Sequence, residues 1–423
     1  MAREMKDSGI EWIGKIPSNW NVAPLKRVAT IQTGSTPSKT NENTLYSSDI
    51  GIPWIKAENL GTNSSIEETK EYLTEEGAKL GRIFEPNTVY VCCIASVGKV
   101  GFSTVSASCN QQINALCFND FNWKYGYYMS CSQETEYQVT SSGNVMKILN
   151  SEKQSMIMCP IPPLPEQHRI ADFLDRKCAE IDRVLEKTRA SIEEYKKLKQ
   201  SVITQAVTKG IRGEREMKDS GIEWVGEIPA EWDVNVMFQI FKQVKNKNEG
   251  LIENNLLSLS YGKIKRKNID TVGGLLPESF DGYNIIEKDD IVIRLTDLQN
   301  DHKSLRVGLS PERGIVTSAY VTVRNYSHNL AEYLYYYLHS YDVAKGFYGM
   351  GAGVRQGLNW DGLKNLQITI PTLSEQQEIC DYLDRKCAEI DTLISKKEQL
   401  ITELEAYKKS LIYEYVTGKK EVI

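Results

Sequence analysis

The nine residues LDRKCAEID stand at Leu174–Asp182 and return, unchanged, at Leu383–Asp391. A shorter pattern precedes each copy: the eight residues MKDSGIEW occupy Met5–Trp12 and again Met217–Trp224, each continuing as Gly-x-Ile-Pro-x-x-Trp. Identity over such lengths within one chain does not arise by chance, so the chain is an internal duplication. Its order is short motif, variable segment and conserved segment, and then the same three again.

Each conserved segment is predicted to be one long helix. Pro162, Pro163 and Pro165 end the preceding element, and no Pro or Gly occurs between Ile170 and Val207. Apolar residues recur every seven positions, which is typical of a coiled-coil seam. The seam residues that we assign are Leu174, Ile181, Tyr195, Leu198, Leu383, Ile390, Leu404 and Tyr407.

Two such helices, each about 60 Å long at about 1.5 Å per residue, could pair antiparallel with a globular body at each end. We expect this pairing because each helix offers its partner nearly the same surface. The alternative is that each helix packs only on its own body.

Composition sets limits on the class of protein. The chain has 423 residues, enough for two or three domains, with 41% hydrophobic and 25% charged residues. It has no apolar run long enough to cross a membrane, and its polar N-terminus does not resemble a signal peptide. Nine scattered cysteines indicate reduced thiols, so we expect a cytoplasmic protein. A net charge of −5 does not by itself favour nucleic acid, although duplex binding needs only a local basic stripe.

The two variable segments alternate short apolar runs with turn residues. The strands that we predict lie at residues 88–94, 113–118, 290–295 and 315–323, and the helices at 123–132 and 330–345. The two segments share this element order without an extended sequence match. Two specificity modules built on one frame would show this combination.

A Gly-containing loop before each conserved helix shows the smallest difference between the halves. Gly143–Asn150 aligns with Ala352–Asn359, and both keep a Val, a Leu and an Asn. Between these, Met146-Lys147 is replaced by Arg355-Gln356. Arg pairs with guanine and Gln with adenine through two hydrogen bonds each. We therefore place base or phosphate contacts in this loop, the alternative being a solvated loop.

Other polar side chains could donate hydrogen bonds to phosphates or bases. The candidates in the first segment are Ser35, Thr36, Lys39, Lys56, Asn59, Asn110, Gln111, Asn144 and Lys147. The candidates in the second are Tyr261, Lys263, Lys265, Arg266, Lys267, Arg294, Arg355 and Gln356. Residues 261–267 form the densest basic patch in the chain, and the alternative is again a solvated face.

No pattern in the sequence indicates catalysis. There is no GxxxxGK[ST] phosphate loop, and the Gly-rich residues 349–353 lack the spacing of a dinucleotide site. The four histidines are far apart in sequence and lack a second ligand at metal spacing. We therefore predict no catalytic residue, metal site or cofactor in this chain.

The most specific motifs are Glu11–Pro17, its copy at 223–229, and Pro163-Leu164-Pro165-Glu166-Gln167 at the start of the first helix. With them, the chain resembles the specificity subunit of a type I restriction-modification enzyme over essentially its whole length. At the second junction, Leu373-Ser374-Glu375-Gln376, Ser replaces Pro, a departure that affects only the hinge.

This resemblance implies an α+β architecture. Two α/β target-recognition domains would be separated by an antiparallel coiled coil of two long conserved helices, with internal pseudo-two-fold duplication. The implied divisions are a first recognition domain at 1–162, a first helix at 163–210, a second recognition domain at 211–371 (repeat motif 217–234) and a second helix at 372–423.

The resemblance also implies a DNA-binding, non-catalytic subunit. Each recognition domain would read one half of a bipartite site in double-stranded DNA. Two adenine-N6 methyltransferase subunits would dock on the helices, and motor-nuclease subunits would then join to cleave unmodified DNA. S-adenosylmethionine, ATP and Mg are expected in these partners, and no membrane is expected. The alternatives are a coiled-coil scaffold without a DNA role, or a stand-alone nuclease or methyltransferase.

Overall fold

The structure, a computed structural model, describes residues 3–38, 44–61, 65–143, 146–268, 279–298, 305–350 and 357–422. The chain forms two units, and each contains its own large hydrophobic core. The first unit consists of Met1–Ala190 and Lys397–Ile423, and the second of Ser191–Lys396. Each unit thus holds one short motif, one variable body, the start of one long helix and the end of the other.

The first unit is rich in short strands. In chain order these are β1 Met5–Asp7, β2 Lys15–Pro17, β3 Asn21–Pro24, β4 Ala29–Thr33, β5 Tyr46–Ser47, β6 Ile52–Ile55, β7 Tyr72–Leu73, β8 Ile83–Phe84, β9 Thr88–Cys92, β10 Val100–Ser103, β11 Ala107–Cys109, β12 Ile113–Phe118 and β13 Met158–Ile161. Its helices are α1 Glu75–Leu80, α2 Trp123–Ser132, α3 Glu134–Thr140, α4 Ser151–Ser155 and the start of α5 Leu164–Lys209, with 3-10 turns at Leu25–Arg27 and Ala57–Asn59.

The second unit begins within α5 and has a similar element order. Its strands are β14 Met217–Asp219, β15 Glu227–Pro229, β16 Asp233–Val236, β17 Phe241–Gln243, β18 Leu257–Ser260, β19 Lys263–Arg266, β20 Asn284–Ile286, β21 Ile291–Ile293, β22 Val307–Leu309, β23 Gly314–Val316, β24 Val321–Asn325 and β25 Gln367–Ile370. Its helices are α6 Met237–Ile240, α7 Ala331–Val343, α8 Trp360–Leu363 and the start of α9 Leu373–Val416, with a 3-10 turn at Gly346–Gly349. No described helix is long and apolar enough to cross a membrane.

A four-stranded antiparallel sheet lies at the centre of each body. The strand order is β10-β9-β12-β4 in the first and β22-β21-β24-β17 in the second, so the two sheets correspond strand for strand. One helix, α2 or α7, follows the sheet and packs into the core of its unit through tyrosines. The first body adds a five-stranded sheet, β5-β7-β6-β11-β8, whereas the second adds the pairs β18-β19 and β20-β23.

The predicted elements of the variable segments are largely present. Helix α2 occupies the predicted residues 123–132, and α7 lies within the predicted 330–345. The single strand predicted at 315–323 was wrong, because a turn that joins Tyr320 N to Thr317 O (3.2 Å) divides it into β23 and β24. The residues on both sides of this turn favour strands, so the sequence alone predicted one continuous strand. The mixed α+β architecture with a long helix closing each half is confirmed.

Burial along the two long helices follows a heptad. The buried positions on α5 include Leu174, Cys178, Ile181, Leu185, Thr188 and Ile192, and those on α9 include Leu383, Cys387, Ile390, Lys408 and Leu411. Successive positions on α5 alternate intervals of four and three residues, as in a coiled-coil seam.

Two predicted seam residues lie outside this stripe. Leu198 is 48% exposed and Tyr407 is 56% exposed, whereas Tyr195 and Leu404 are half-buried. A seven-residue repeat fixes the first seam position but allows the second to follow three or four residues later. The predicted seam used the residue three positions after the first, because apolar residues stand there. The structure instead buries the residue four positions after the first, as at Leu185 after Ile181.

Within each unit, the start of one long helix pairs with the end of the other. In the first unit, Lys408 Nζ lies 2.7 Å from Asp182 Oδ1 and Arg189 Nη2 lies 2.6 Å from Glu405 Oε1, so the segments are antiparallel. In the second unit, Lys199 Nζ is bonded to Asp391 at 2.7 Å. Both aspartates end the repeated block LDRKCAEID, so the duplicated sequence supplies equivalent ion pairs in both units. These contacts exclude the alternative in which each helix packs only on its own body.

Candidate nucleic-acid interface

The short motif of the first unit is anchored to the start of α5. The indole of the buried Trp20 donates from Nε1 to Glu166 Oε2 at 2.9 Å. Arg3 forms an ion pair with the other oxygen of that carboxylate at 2.6 Å. A buried carboxylate is tolerated only when it is paired and hydrogen-bonded in this way. Glu166 of the junction therefore joins the motif to the helix.

The second unit repeats this anchor. Trp232 Nε1 donates to Glu375 Oε2 at 3.0 Å, and Arg215 pairs with Glu375 Oε1 at 2.7 Å. The repeated motif identified from the sequence begins at Met5, so it does not include either arginine. Its identity in fact extends to them, because Arg-Glu precedes the methionine in each copy.

The end of the opposite long helix also docks on each motif. In the first unit, Tyr413 on α9 donates from its hydroxyl to Trp12 O at 2.9 Å. Gly418 has a left-handed φ of 70°, and a Cβ there would overlap Pro17. In the second unit, Lys209 at the end of α5 donates to two carbonyls of the copied motif. Each motif thus holds the start of one helix and the end of the other.

The glutamine of each junction fixes the helix of its own body. Gln167 Oε1 accepts from Asn122 N, at the start of α2, at 2.9 Å. Gln376 Oε1 accepts from Leu330 N, at the start of α7, also at 2.9 Å. The same frame residues therefore orient both variable bodies on the helices of their own units.

One backbone hydrogen bond joins two loops in each body. Leu149 N donates to Cys93 O at 2.8 Å, and Leu358 N donates to Leu295 O at 3.0 Å. The two leucines are equivalent residues of the predicted recognition loops, and their acceptors follow the equivalent strands β9 and β21. In the first body this contact places the exposed Lys147 beside the loop after β9.

Further loops of the first body join at the same place through backbone hydrogen bonds. These bonds run from Ser35 N to Cys109 O (2.9 Å), Asn110 N to Ile55 O (3.2 Å) and Cys93 N to Gln112 O (2.8 Å). We call the segments joined here the first loop cluster: Gly34–Thr36, Lys56–Asn59, Cys93–Gly98, Asn110–Gln112 and Met146–Leu149. It contains the predicted candidates Ser35, Thr36, Lys56, Asn59, Asn110, Gln111 and Lys147.

Side chains within the first loop cluster are partly engaged. Gly34 allows the close approach of its loop, because a Cβ there would overlap the carbonyl oxygens of Cys109 and Asn110. The hydroxyl of Thr36 is hydrogen-bonded to the side chain of Gln111, and both residues are exposed. Lys56 pairs with Glu71 at 2.9 Å, and Asn59 Oδ1 accepts from Lys56 N at 2.9 Å. The candidates Lys39 and Asn144 lie outside the described residues.

The basic patch of the second body lies on the hairpin β18–β19. Its two-residue turn is Tyr261-Gly262, with φ values of 47° and 75°, as type I′ turns require. Tyr261 is 76% exposed. Arg266 donates from Nε and Nη2 to the two carboxylate oxygens of Glu312, and this hydrogen bonding lowers the pKa of that carboxyl.

The hairpin lysines 263, 265 and 267 are exposed. The turn lies close to the chain just before β22, because a Cβ added at Gly262 would be 3.1 Å from the side chain of Leu305. Arg294 is half-buried at the end of β21, and Arg355 and Gln356 lie outside the described residues.

Two buried thiols and one buried histidine of the cores are held in their neutral forms. Burial raises the pKa of Cys93 and of Cys159 to about 12, so both stay protonated at neutral pH. Burial also lowers the pKa of His339 to about 4, which keeps the ring neutral. Within the described ranges, no group of three His, Cys, Asp or Glu residues could hold a metal ion.

A comparison with protein families also finds two copies of one domain in this chain. The family described as type I restriction modification DNA specificity domain matches the chain twice, at residues 17–194 and 234–405. This chain belongs to that family. The two matches cover most of the chain, so it is a type I restriction-modification specificity subunit, and the resemblance read from the junction motifs is confirmed.

Named specificity subunits are similar over nearly the whole chain. The putative type I restriction enzyme MjaX specificity subunit of Methanocaldococcus jannaschii is 23% identical, over 97% of this chain and 96% of its own. The StySPI specificity subunit of Salmonella potsdam is 22% identical, over 96% and 90%. Membership in this family also confirms that the specificity subunit directs a type I enzyme and is not an enzyme by itself.

A solved structure shares the fold. It comes from work on complex assembly and conformational transition of the type I restriction-modification system, and it matches with a TM-score of 0.69 at 14% identity. The match covers 96% of this specificity subunit and 99% of that chain.

Proposed function

We propose that this specificity subunit reads a bipartite site in double-stranded DNA and that each recognition domain reads one half. The observation that supports this most is the equivalent pair of loops in the two bodies. Leu149 and Leu358 make the same backbone bond to the loop after the equivalent strand, while the neighbouring side chains differ. A common frame with different polar groups suits two readers of different sequences.

We assign the contacts by chemistry. Exposed lysines would bind phosphates, which supply most of the affinity and none of the sequence preference. Amide, hydroxyl and Arg side chains would read bases. In the first domain the proposed contacts are Ser35, Thr36, Lys39, Lys56, Asn59, Asn110, Gln111, Asn144 and Lys147; in the second they are Tyr261, Lys263, Lys265, Arg266, Lys267, Arg294, Arg355 and Gln356.

The proposed partners on the long helices are two adenine-N6 methyltransferase subunits, followed by motor-nuclease subunits. S-adenosylmethionine, ATP and Mg would be their cofactors, and the cytoplasm, where DNA is met, would be their common location. In support, the helices expose apolar side chains outside the buried stripe, and such surface commonly marks protein contacts. These side chains are Val184, Leu198, Leu393, Leu400 and Tyr407. The division at 1–162, 163–210, 211–371 and 372–423 belongs to the same proposal.

The experiment that tests this function maps methylated adenines in a host that expresses the chain with its methyltransferase partner. We expect a bipartite motif with a gap of fixed length. A continuous motif, or no motif while both proteins are present and assembled, would contradict the proposal. A scaffold without a DNA role would also show no salt-dependent affinity for duplex.

Lys265→Ala is expected to weaken duplex binding and to reduce the slope of log affinity against log salt by about one. The exposed ammonium of Lys265 is free to replace a counterion on a phosphate. Arg266→Ala is the comparison variant: as a proposed base contact whose charge is already paired with Glu312, Arg266 should contribute less to the salt dependence than Lys265. Titrations of the assembled methyltransferase complex at several salt concentrations measure both slopes. A slope for Lys265→Ala equal to that of the wild-type chain would exclude the phosphate contact at Lys265.

A further inference from the structure

Arg306 is fully buried in the second recognition domain, where its guanidinium binds backbone carbonyls. Nη1 donates to Arg294 O at 3.1 Å and to Thr296 O at 2.9 Å, and Nη2 donates to Asp297 O at 3.2 Å. Nε donates to the hydroxyl of Tyr348 at 3.1 Å. One side chain therefore binds three backbone carbonyls within residues 294–297.

These carbonyls belong to residues Arg294–Asp297, which directly follow β21, and further contacts hold the same residues. The carbonyl of Leu295, between the carbonyls bound by Arg306, accepts from Leu358 N at 3.0 Å. Leu295 and Leu298 are buried, and Asp297 has a left-handed φ of 56°. A non-glycine residue holds such a φ only when its surroundings impose it. The side chain of Thr296 is left exposed and that of Arg294 half-exposed.

In the equivalent loop of the first domain, backbone groups hold the closing carbonyl. Cys92 N donates to Lys99 O at 2.8 Å, and Gly98 N returns to Cys92 O at 3.0 Å. Residues 93–98 are therefore a short loop whose ends bind each other, and no side chain is required to hold the carbonyl of Cys92.

In the sequence of the second domain, eleven residues (295–305) separate Arg294 from Arg306, whereas six (93–98) separate the equivalent Cys92 and Lys99. The outer bond is kept, since Arg294 N donates to Arg306 O at 2.8 Å. The carbonyl of Arg294, which corresponds to that of Cys92, is bound by the guanidinium of Arg306 instead of a backbone N–H. In the second domain the Arg306 side chain thus binds the carbonyl that, in the first domain, is bound by the backbone N–H of Gly98.

We propose that Arg306 is a positioning residue for base recognition: it holds the backbone of Arg294–Asp297 so that Arg294 and Thr296 face one half of the DNA site. This inference rests on the proposed function. Arginine is suited to the role because its planar fork carries five donors, whereas lysine has a single compact ammonium. Arg306→Lys therefore keeps the charge and loses the simultaneous grip on three carbonyls.

The test uses the full chain with its methyltransferase partner in a host. Sequencing of methylated adenines gives the methylation of sites with one mismatch in either half, relative to the cognate site. We expect Arg306→Lys to raise this ratio on the order of tenfold for mismatches in one half, the scale of one lost base contact, and to leave the other half unchanged. Thr296→Ala, on the exposed side of the loop, should relax the same half and avoids the risk of misfolding.

Arg324→Lys in the same domain is the matched control. Arg324 makes a paired bond with Asp290 at 2.7 Å and has no contact with the loop carbonyls among the described hydrogen bonds. We expect it to leave the mismatch ratios of both halves unchanged even if it lowers thermal stability, so a change specific to Arg306→Lys reports loop position and not the general effect of replacing an arginine in this domain.

A wild-type chain without a bipartite motif would overturn the proposed function itself. Given a bipartite wild-type motif, the positioning role would be overturned by wild-type ratios in both Arg306→Lys and Thr296→Ala. Equal relaxation in both halves, or a uniform loss of methylation without a change in ratios, would also overturn it.

Discussion

Glu375→Ala is expected to lower the free energy of unfolding of the second unit by about 3–5 kcal/mol, the cost of breaking a buried ion pair. The Glu375 side chain has no exposed area, and Arg215 is 13% exposed. The substitution leaves the guanidinium without its buried partner and the Trp232 indole without its acceptor. Chemical denaturation of the full chain, followed by tryptophan fluorescence, measures the loss.

Glu378→Ala provides the matched control, since Glu378 lies one turn along the same helix. It pairs with Arg212 at 2.7 Å, but both side chains are nearly half exposed, and surface pairs contribute little. We expect no measurable shift in its unfolding. If Glu375→Ala were equally harmless, the motif would not be anchored to the helix through this carboxylate.

Leu174→Ala is expected to cost about 2–5 kcal/mol, because removing a fully buried leucine leaves a cavity. Leu174 has no exposed area and lies in the core of the first unit with Cys178 and Ile181. Thermal or denaturant unfolding of the full chain measures the effect.

Leu198→Ala distinguishes the two possible seams. Leu198 belonged to the predicted seam, yet its side chain is about half exposed at 48%. We expect its replacement to cost much less than that of Leu174. A cost equal to that of Leu174→Ala would mean that the second seam position follows the first by three residues and not by four.

The coiled-coil seam was predictable from the sequence only in part. Repetition was enough to predict two long helices and their antiparallel pairing, because identical blocks at Leu174–Asp182 and Leu383–Asp391 must bury the same face. On the first long helix apolar residues stand at both spacings, as at Val184 and Leu185, so the sequence could not decide which of the two is buried. That choice depends on what the facing helix and the recognition domain supply.

The proposed recognition surface was predictable only in part. The retained Leu149 and Leu358, which make equivalent backbone bonds, could be found from the sequence because differences inside a constant frame are visible in a duplicated chain. The role of Arg306 was not visible, because its partners are backbone carbonyls, which every residue has. Lys56 and Asn110 were proposed separately, and only the parallel pairing of β6 with β11 explains why they meet.

These contacts divide the chain into a frame that is the same in both units and loops that differ between them. Glu166, Gln167 and their copies bind the motif and the body helix in the same way in both units. The loops attached to that frame differ in length, closure and charge. Sequence preference can therefore change in one recognition domain while the frame stays constant.

The most direct measurement compares methylated-adenine motifs from hosts that carry the wild-type chain, Gln111→Ala or Arg355→Ala, each with the methyltransferase partner. Gln111 belongs to the first recognition domain and Arg355 to the second. If each domain reads one half-site, the two substitutions relax opposite halves of the motif and leave the gap unchanged. Relaxation of the same half by both, or equal loss at both halves in each variant, would contradict independent reading by the two domains.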